Sequence, residues 1–342
     1  MRRVIVRFIG AVLPCAVSLL CVPAASAQEV NLYTTREPGL IKPLIDAFTK
    51  STGIRVNSIF VRDGLAERVA AEGARSPADL LMDVDIGALL NLVDRGLTQP
   101  VRSGVLDAVV PSNLRGADGS WFALSLRARV IYARRDLDLS SFTYEQLADP
   151  RWKGRICTRA GQHPYNTALI AAYIVRHGEA RAEVWLRGHK DGLARAAAGG
   201  DRDGARDIMG GICDIAVGNS YYVGLMRSGA GGPEQEKWGA AITVVLPTFA
   251  GGGTHVNVSG AAIAKYSPNR AAAVRFLEYL VSDPAQKIYA EANYEYPVKA
   301  GAVIHPIIAA LGPLKVDSLS LAEIARQRAT ASKLVDKVGF DR

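Results

Sequence analysis

The sequence predicts an α/β protein of two lobes, each a mixed sheet flanked by helices, with hinge strands joining them. Short apolar strands alternate with amphipathic helices over residues 30–95, a pattern typical of strands covered by helices on both faces. The 342 residues exceed the usual size of a single hydrophobic core. The segment Trp121–Tyr132 is predicted to be extended and long enough to run between two lobes.

Apolar spacing predicts the elements in order. Strands are predicted at residues 30–33, 54–61, 78–84, 121–132, 155–158, 215–217, 241–246 and 255–263. Helices are predicted at residues 40–49, 65–72, 86–95, 143–147, 168–177, 183–197, 201–209, 221–227, 270–281 and 284–293, before a helix-rich tail. The chain is expected to leave the first lobe near residue 127 and return near residue 250. The expected lobes are 28–127 with 250–300, and 128–249 with 301–342.

Residues 1–27 have the features of a cleaved secretory signal peptide. Arg2, Arg3 and Arg7 precede an apolar segment at 8–22, and Ala25-Ser26-Ala27 is a typical cleavage site. We therefore expect a soluble exported chain. Cleavage removes three arginines and no acids, so the formal net charge falls from +8 to +5. This mild charge, without a basic block, argues against nucleic acid as a partner.

Tyrosines are predicted at two strand–helix junctions. The segment Cys213–Tyr222 predicts a buried strand, a turn at Gly218, and a helix start that carries Tyr221 and Tyr222. Tyr165 also stands where a helix begins. Ligands of open α/β sheets collect beyond the carboxyl ends of the strands. Three phenol oxygens there favour a hard, highly charged cation such as Fe³⁺. The alternative is that these rings only pack at the junctions.

Cys157 and Cys213 are the two cysteines that follow the signal peptide. An even pair in an exported chain predicts a disulfide, and zinc is less favoured because the CxxC spacing is absent. Each cysteine lies eight residues before a tyrosine, Tyr165 or Tyr221. Neighbouring parallel strands in equal phase would bring the two cysteines together and fix both tyrosine loops.

Other polar motifs do not indicate catalysis. The sequence contains no GxSxG, HExxH, Walker A or strand-following GxGxxG motif, so we expect no enzyme. Asp83 and Asp85, at the end of a predicted strand, either bind a metal or cap the next helix, and we favour the cap. The run Gly251–Gly253 forms either an anion-binding nest or a plain turn, and we favour the turn.

Several segments together resemble the periplasmic ferric-iron-binding proteins of ABC importers. They are Asn31–Arg36, Ala78–Leu81, Trp152–Arg155, Gly161–Asn166, Gly218–Tyr222, Gly253–Asn257 and Asn293–Pro297, in the order of that family. The resemblance implies the two-lobed type II periplasmic binding-protein fold. It also implies Fe³⁺ capture in the cleft and delivery to an ABC transporter permease at the inner membrane. We therefore expect a periplasmic carrier, and we expect it to be a monomer.

The resemblance also implies the site residues. It assigns Fe³⁺ to Tyr165, Tyr221 and Tyr222, as in tyrosine-rich members of the family. Glu37 stands where many members have a histidine, so it is either a further ligand or a helix cap. We favour the cap or a supporting role, because proline, here Pro38, is preferred at the first helical position.

The family implies a second component, a synergistic anion such as carbonate. Its candidate binding residues are Arg36, Thr34, Thr35 and Arg127, with Arg129 as an additional one. Each of these arginines could equally pair with a carboxylate. The alternative function is a carrier of a small anionic or phosphorylated organic solute, held by Arg36, Arg127 and His163. A secreted hydrolase is disfavoured because no acid–base–nucleophile set is present.

Overall fold

The computed structural model describes residues 28–342, so the predicted signal peptide lies outside the described residues. The strands are β1 (Glu29–Thr34), β2 (Arg55–Phe60), β3 (Leu80–Asp83), β4 (Thr98–Gln99), β5 (Phe122–Arg134), β6 (Ile156–Cys157), β7 (Ile215–Asn219), β8 (Ile242–Val245), β9 (Val256–Ala264) and β10 (Tyr296–Pro297). Within this range, no helix has the length and apolar character needed to cross a membrane.

The helices surround these strands. They are α1 (Pro38–Thr52), α2 (Leu65–Glu72), α3 (Ile86–Asp94), α4 (Gly104–Val109), α5 (Pro164–His177), α6 (Glu179–Asp191), α7 (Asp201–Met209), α8 (Ser220–Arg227), α9 (Pro233–Ala241), α10 (Arg270–Leu280), α11 (Asp283–Asn293), α12 (Pro306–Ala309), α13 (Leu321–Arg326) and α14 (Arg328–Val338). Short 3-10 turns lie at Gly73–Arg75, Ser112–Leu114, Tyr144–Ala148 and Pro150–Trp152.

The strands form a mixed sheet in the order β2-β1-β3-β9-β5-β7-β6. Strand β1 is parallel to β2 and β3, as the alternation of strands and helices predicts. Strand β9 runs antiparallel to β3 and β5, and β7 runs antiparallel to β5. The predicted α/β architecture with mixed sheets is therefore confirmed.

Strand β5 joins the two halves of this sheet. Its residues 122–128 pair with β9, and its residues 129–133 pair with β7. All residues from Phe122 to Ala133 are buried, as the apolar sequence predicts. The partner changes between Ala128 and Arg129. Because side chains alternate along a strand, Arg127 and Arg129 flank this change on the same face.

The predicted disulfide between Cys157 and Cys213 is confirmed, with Cα atoms 5.9 Å apart. The predicted register is wrong, however. Strands β6 and β7 are parallel neighbours, but Cys157 pairs with Ala216, three positions beyond Cys213. Cys213 instead lies in the segment before β7, where the amide of the next residue, Asp214, donates to the backbone oxygen of Arg155 at 2.9 Å. This bond draws Cys213 beside β6.

Helices α6 and α9 are examples of elements that differ from the prediction. Helix α6 begins at Glu179 and ends at Asp191, not at residue 197. The chain leaves the helix because the amides of Arg155 and Ile156 donate to the Gly192 oxygen. Helix α9 occupies Pro233–Ala241, where the sequence predicts no helix. This helix buries only Gly239, so its sequence lacks the apolar stripe from which a helix is predicted.

Candidate metal centre

The three predicted tyrosines lie in the first turns of two helices. Tyr165 is the second residue of α5, and Tyr221 and Tyr222 follow Ser220, the first residue of α8. The Oη atoms of Tyr165 and Tyr221 are 3.5 Å apart, and the ring centres of Tyr221 and Tyr222 are 4.1 Å apart. The structure thus brings together three phenols that are distant in the sequence.

The start of α5 is fixed by its own residues. Pro164 occupies the first helical position, where its missing N–H is no loss. The Nδ1 atom of His163 accepts a hydrogen bond from the Tyr165 amide at 3.2 Å and so caps the helix. Burial lowers the pKa of His163 to about 4, helped by the charge of Arg159. His163 is therefore a neutral cap in the physiological pH range.

A buried arginine connects the two tyrosine junctions. Arg129 pairs with Asp201 at 2.7 Å, and it donates to Oδ1 of Asn166 at 2.5 Å and of Asn219 at 3.1 Å. Asn166 follows Tyr165, and Asn219 lies just before α8. The sequence analysis considered Arg129 for the anion. Its guanidinium instead holds the phenols in position.

The phenols border a cavity of about 270 Å³. From the side of β1, β3 and α1, the cavity is lined by Thr35, Arg36, Glu37, Leu40 and Val84. From the other side it is lined by the three tyrosines and Leu225, while Arg127, Ala292, Asn293 and Glu295 complete it. Within residues 28–342, no group of three His, Cys, Asp or Glu side chains is arranged to hold a metal ion. Three tyrosines line this same cavity.

The family described as bacterial extracellular solute-binding protein matches residues 33–287. The chain belongs to this family. Iron uptake protein A2 of Synechocystis sp. is 42% identical over 323 residues, which cover 93% of this chain and 91% of that protein. The predicted resemblance is thereby confirmed.

Solved structures agree with this assignment. A Bordetella ferric binding protein is 63% identical with a TM-score of 0.89, covering 92% of this chain and 100% of that chain. A Trichodesmium protein solved in complex with iron and citrate ligands is 41% identical with a TM-score of 0.87, covering 91% and 99%. The solute-binding protein therefore has the type II periplasmic binding-protein fold that its sequence predicts.

In this solute-binding protein, burial keeps the phenols of Tyr221 and Tyr222 protonated in the absence of a cation. Burial raises the pKa of Tyr221 well above its usual value, and the neighbours Tyr165 and Tyr222 raise it further, against the opposing charge of Arg127. Burial also raises the pKa of Tyr222. A cation bound here must therefore displace protons.

Glu37 lines the cavity with an exposed side chain. It occupies the N-cap position of α1, but its carboxylate accepts no hydrogen bond from the helix. Only its backbone oxygen accepts, from Leu40 at 3.0 Å and from Ile41 at 3.2 Å. The side-chain cap that we favoured is therefore wrong. Among residues 28–342 the Glu37 carboxylate has no hydrogen-bond or ion-pair partner.

Arg36 lines the cavity, but its charge is compensated. Its Nη2 pairs with both oxygens of Glu295 at 3.0 and 3.1 Å and donates to Ser259 Oγ at 2.5 Å. Glu295 was part of the family resemblance, yet the sequence analysis gave it no role. The two residues are 259 positions apart, so no local pattern reveals the pair.

Arg127 is the cavity-lining arginine without a carboxylate partner among the described residues. It donates to the backbone oxygens of Val84 and Val258, and its guanidinium carbon lies 5.7 Å from the Tyr165 ring centre. Thr34 does not line the cavity, since its Oγ1 accepts from the Arg36 amide at 2.9 Å. Thr35 does, and its Oγ1 accepts from the Val84 amide at 3.1 Å.

The remaining polar motifs have structural roles. Asp85 caps α3 by accepting from the amides of Gly87 at 2.9 Å and Ala88 at 3.1 Å, as predicted. Asp83 accepts from the Asp85 amide at 2.9 Å, and burial raises its pKa to about 7. The Gly251–Gly253 run forms the favoured turn, in which the Gly252 amide donates to the Phe249 oxygen at 2.8 Å, and the Gly253 amide donates to Asp317 at 2.8 Å.

Proposed function

We propose that this solute-binding protein captures Fe³⁺ in a cleft between two lobes and delivers it to an ABC transporter permease. The observation that carries this proposal is the convergence of Tyr165, Tyr221 and Tyr222 at two helix starts. Phenolates are hard anionic donors and suit a small trivalent cation. The helix N-termini add partial positive charge that stabilises the phenolate form. The printed names of the relatives, which refer to iron uptake and ferric binding, support the same cargo.

Each of the two proposed lobes consists of two segments of the chain. Residues 28–127 with 250–300 form the first lobe, and residues 128–249 with 301–342 form the second. The change of partner strand along β5 between Ala128 and Arg129 supports this division. The first lobe then presents Glu37 to the ion, while the tyrosines belong to the second lobe. Closure over the ion brings these donors together.

A synergistic anion, carbonate or a similar small oxyanion, completes the proposed site. Arg127 is its main partner because this guanidinium has no carboxylate among the described residues. Thr35 contributes a hydroxyl at the same wall of the cavity. Arg36 and Thr34 contribute less, since Glu295 and the Arg36 amide already engage them.

The proposed setting is the periplasm, which the chain reaches after cleavage of residues 1–27. The protein acts there as a transport protein and not as an enzyme. A monomer presents both lobes to the permease, which recognises the closed, loaded form.

The deciding experiment compares the wild type with the double variant Tyr221→Phe/Tyr222→Phe. Ferric citrate should give the wild type a visible absorption band from phenolate-to-iron charge transfer, and the double variant should lack it. The phenyl rings preserve packing, so circular dichroism should not change. Tyr266→Phe is the matched control, because Tyr266 is 49% exposed and does not line the cavity.

Two results would contradict the proposal. A band that survives in the double variant would remove the iron from these tyrosines. A wild type without a band, but with calorimetric binding of an iron-free organic phosphate, would identify the alternative cargo.

A further inference from the structure

Arg328, the first residue of α14, reaches two junctions that border the tyrosine cavity. Its Nη1 forms an ion pair with Asp85, the N-cap residue of α3. Its Nη2 donates to the backbone oxygen of Pro164 at 3.1 Å, one residue before Tyr165. A single side chain of the C-terminal helices thus contacts both the β3–α3 junction and the start of α5.

The residues around the Arg328 guanidinium bury it and leave space for it. The side chains of Arg328 and Asp85 are only 17% and 13% exposed. Gly87 leaves the necessary space in the first turn of α3, since a Cβ atom there would overlap the guanidinium. The second oxygen of Asp85 accepts from Asn257 Nδ2 at 2.8 Å, which ties the pair to strand β9.

We propose that Arg328 is a positioning residue that connects the two lobes beside the cleft and fixes Tyr165 relative to the first lobe. This inference rests on the proposed lobes and cargo. Asp85 belongs to the first lobe, whereas Pro164 and Arg328 belong to the second. The planar guanidinium donates in fixed directions, so its two partners are held at a defined distance and angle.

Because of this connection, fewer protein groups have to become ordered when the ion binds. Tyr165 follows Pro164 directly, so the phenol is presented at a set position opposite Glu37. A site that is already arranged loses less conformational freedom on binding, and this raises affinity. Burial works against the charge of Asp85, but Arg328 and Asn257 outweigh it and hold the pKa of Asp85 below its usual value. The pair therefore stays ionised at neutral pH.

The test uses two variants that break the contact in different ways. Arg328→Gln removes the charge. Gly87→Ala keeps every charge and displaces the guanidinium. Arg326→Gln is the matched control, because Arg326 is exposed at the end of α13 and forms no ion pair with the described residues. Each protein is measured by iron competition with citrate, by the visible band at saturation, and by small-angle X-ray scattering without iron.

We expect Arg328→Gln and Gly87→Ala to bind Fe³⁺ about tenfold more weakly, while Arg326→Gln stays within about twofold of the wild type. The saturated band should keep its position, because all three phenolates remain. The iron-free scattering of both variants should indicate a wider spread of lobe arrangements. If Arg328→Gln fails to fold, Gly87→Ala decides the question alone.

Wild-type affinity in both variants would overturn the inference. So would a weaker affinity with unchanged scattering and a matching loss of melting temperature, since that combination indicates a purely structural residue. Absence of the band in the wild type would reject the proposed cargo. The scattering comparison would still decide whether Arg328 connects the lobes, because it uses no iron.

Discussion

At the scale of single residues, Glu37 places an exposed carboxylate at the rim of the tyrosine cavity. It forms no ion pair with any residue in the range 28–342, and it accepts no hydrogen bond from the first turn of α1. Carboxylate oxygens are hard ligands that suit Fe³⁺. A cation held by the three phenols would face Glu37, which lines the same cavity.

We therefore predict that Glu37→Gln weakens Fe³⁺ binding by tenfold or more, about 1.4 kcal/mol. The free energy of unfolding should change by less than about 0.5 kcal/mol, because no cap hydrogen bond is lost. Competition with citrate at fixed pH and carbonate concentration measures the first quantity, and urea denaturation of the iron-free protein measures the second. Glu323→Gln is the control, since Glu323 is exposed and lies away from the cavity. A cap role would show the reverse, with lower stability and unchanged affinity.

At the scale of elements, the two tyrosine helices depend on one buried ion pair. Arg129 of β5 and Asp201 of α7 are almost fully buried, and the arginine donates to residues at the starts of both α5 and α8. Removal of Arg129 leaves the fully buried Asp201 carboxylate with only a longer contact to Arg159, at 3.4 Å, which is strongly destabilising. The helix positions, and with them the phenol positions, depend on this contact.

We predict that Arg129→Met lowers the free energy of unfolding by about 3–5 kcal/mol. Arg127→Met is the matched comparison, because Arg127 lies two residues earlier in the same strand and pairs with no described carboxylate. Its cost should be less than half as large. Urea denaturation of both variants without iron measures the difference. Equal costs would show that the Asp201 pair contributes nothing beyond ordinary burial. The double variant Arg129→Met/Asp201→Asn should recover part of the loss.

The sequence predicts elements well where one helix or strand carries its own pattern. Helix α2 matches its predicted bounds, and the tyrosine junctions lie where strand and helix signals meet. The prediction fails where a contact with a distant part of the chain determines the end or the register of an element. The end of α6 depends on pairing with β6, and the register of Cys213 depends on a hydrogen bond to Arg155. The same limit applies to the ion pairs around the site. Arg36–Glu295 and Arg129–Asp201 join residues that are far apart in the chain, so no local pattern predicts them.

At the scale of the whole molecule, the proposed iron binding is coupled to the protonation of the site. Burial raises the pKa of Tyr221 and Tyr222, so both phenols are neutral before the ion enters. Binding requires the phenolate forms, and each phenolate formed releases one proton. The affinity for free Fe³⁺ must therefore fall as the pH falls, because protons then compete with the ion for the same oxygens.

We predict that the logarithm of the affinity for free Fe³⁺ rises by about 2–3 per pH unit between pH 5.5 and 7.5, one for each phenol that is deprotonated. The sign follows from the raised pKa values of Tyr221 and Tyr222, since these two phenols stay protonated in the empty site throughout this range. Competition against a chelator with a known pH dependence measures the slope, and proton release in a weakly buffered solution counts the protons directly. Tyr222→Phe should reduce the slope and the proton count by one each. A slope near zero would mean that the phenols are not the ligands, because a carboxylate site is already ionised over this range.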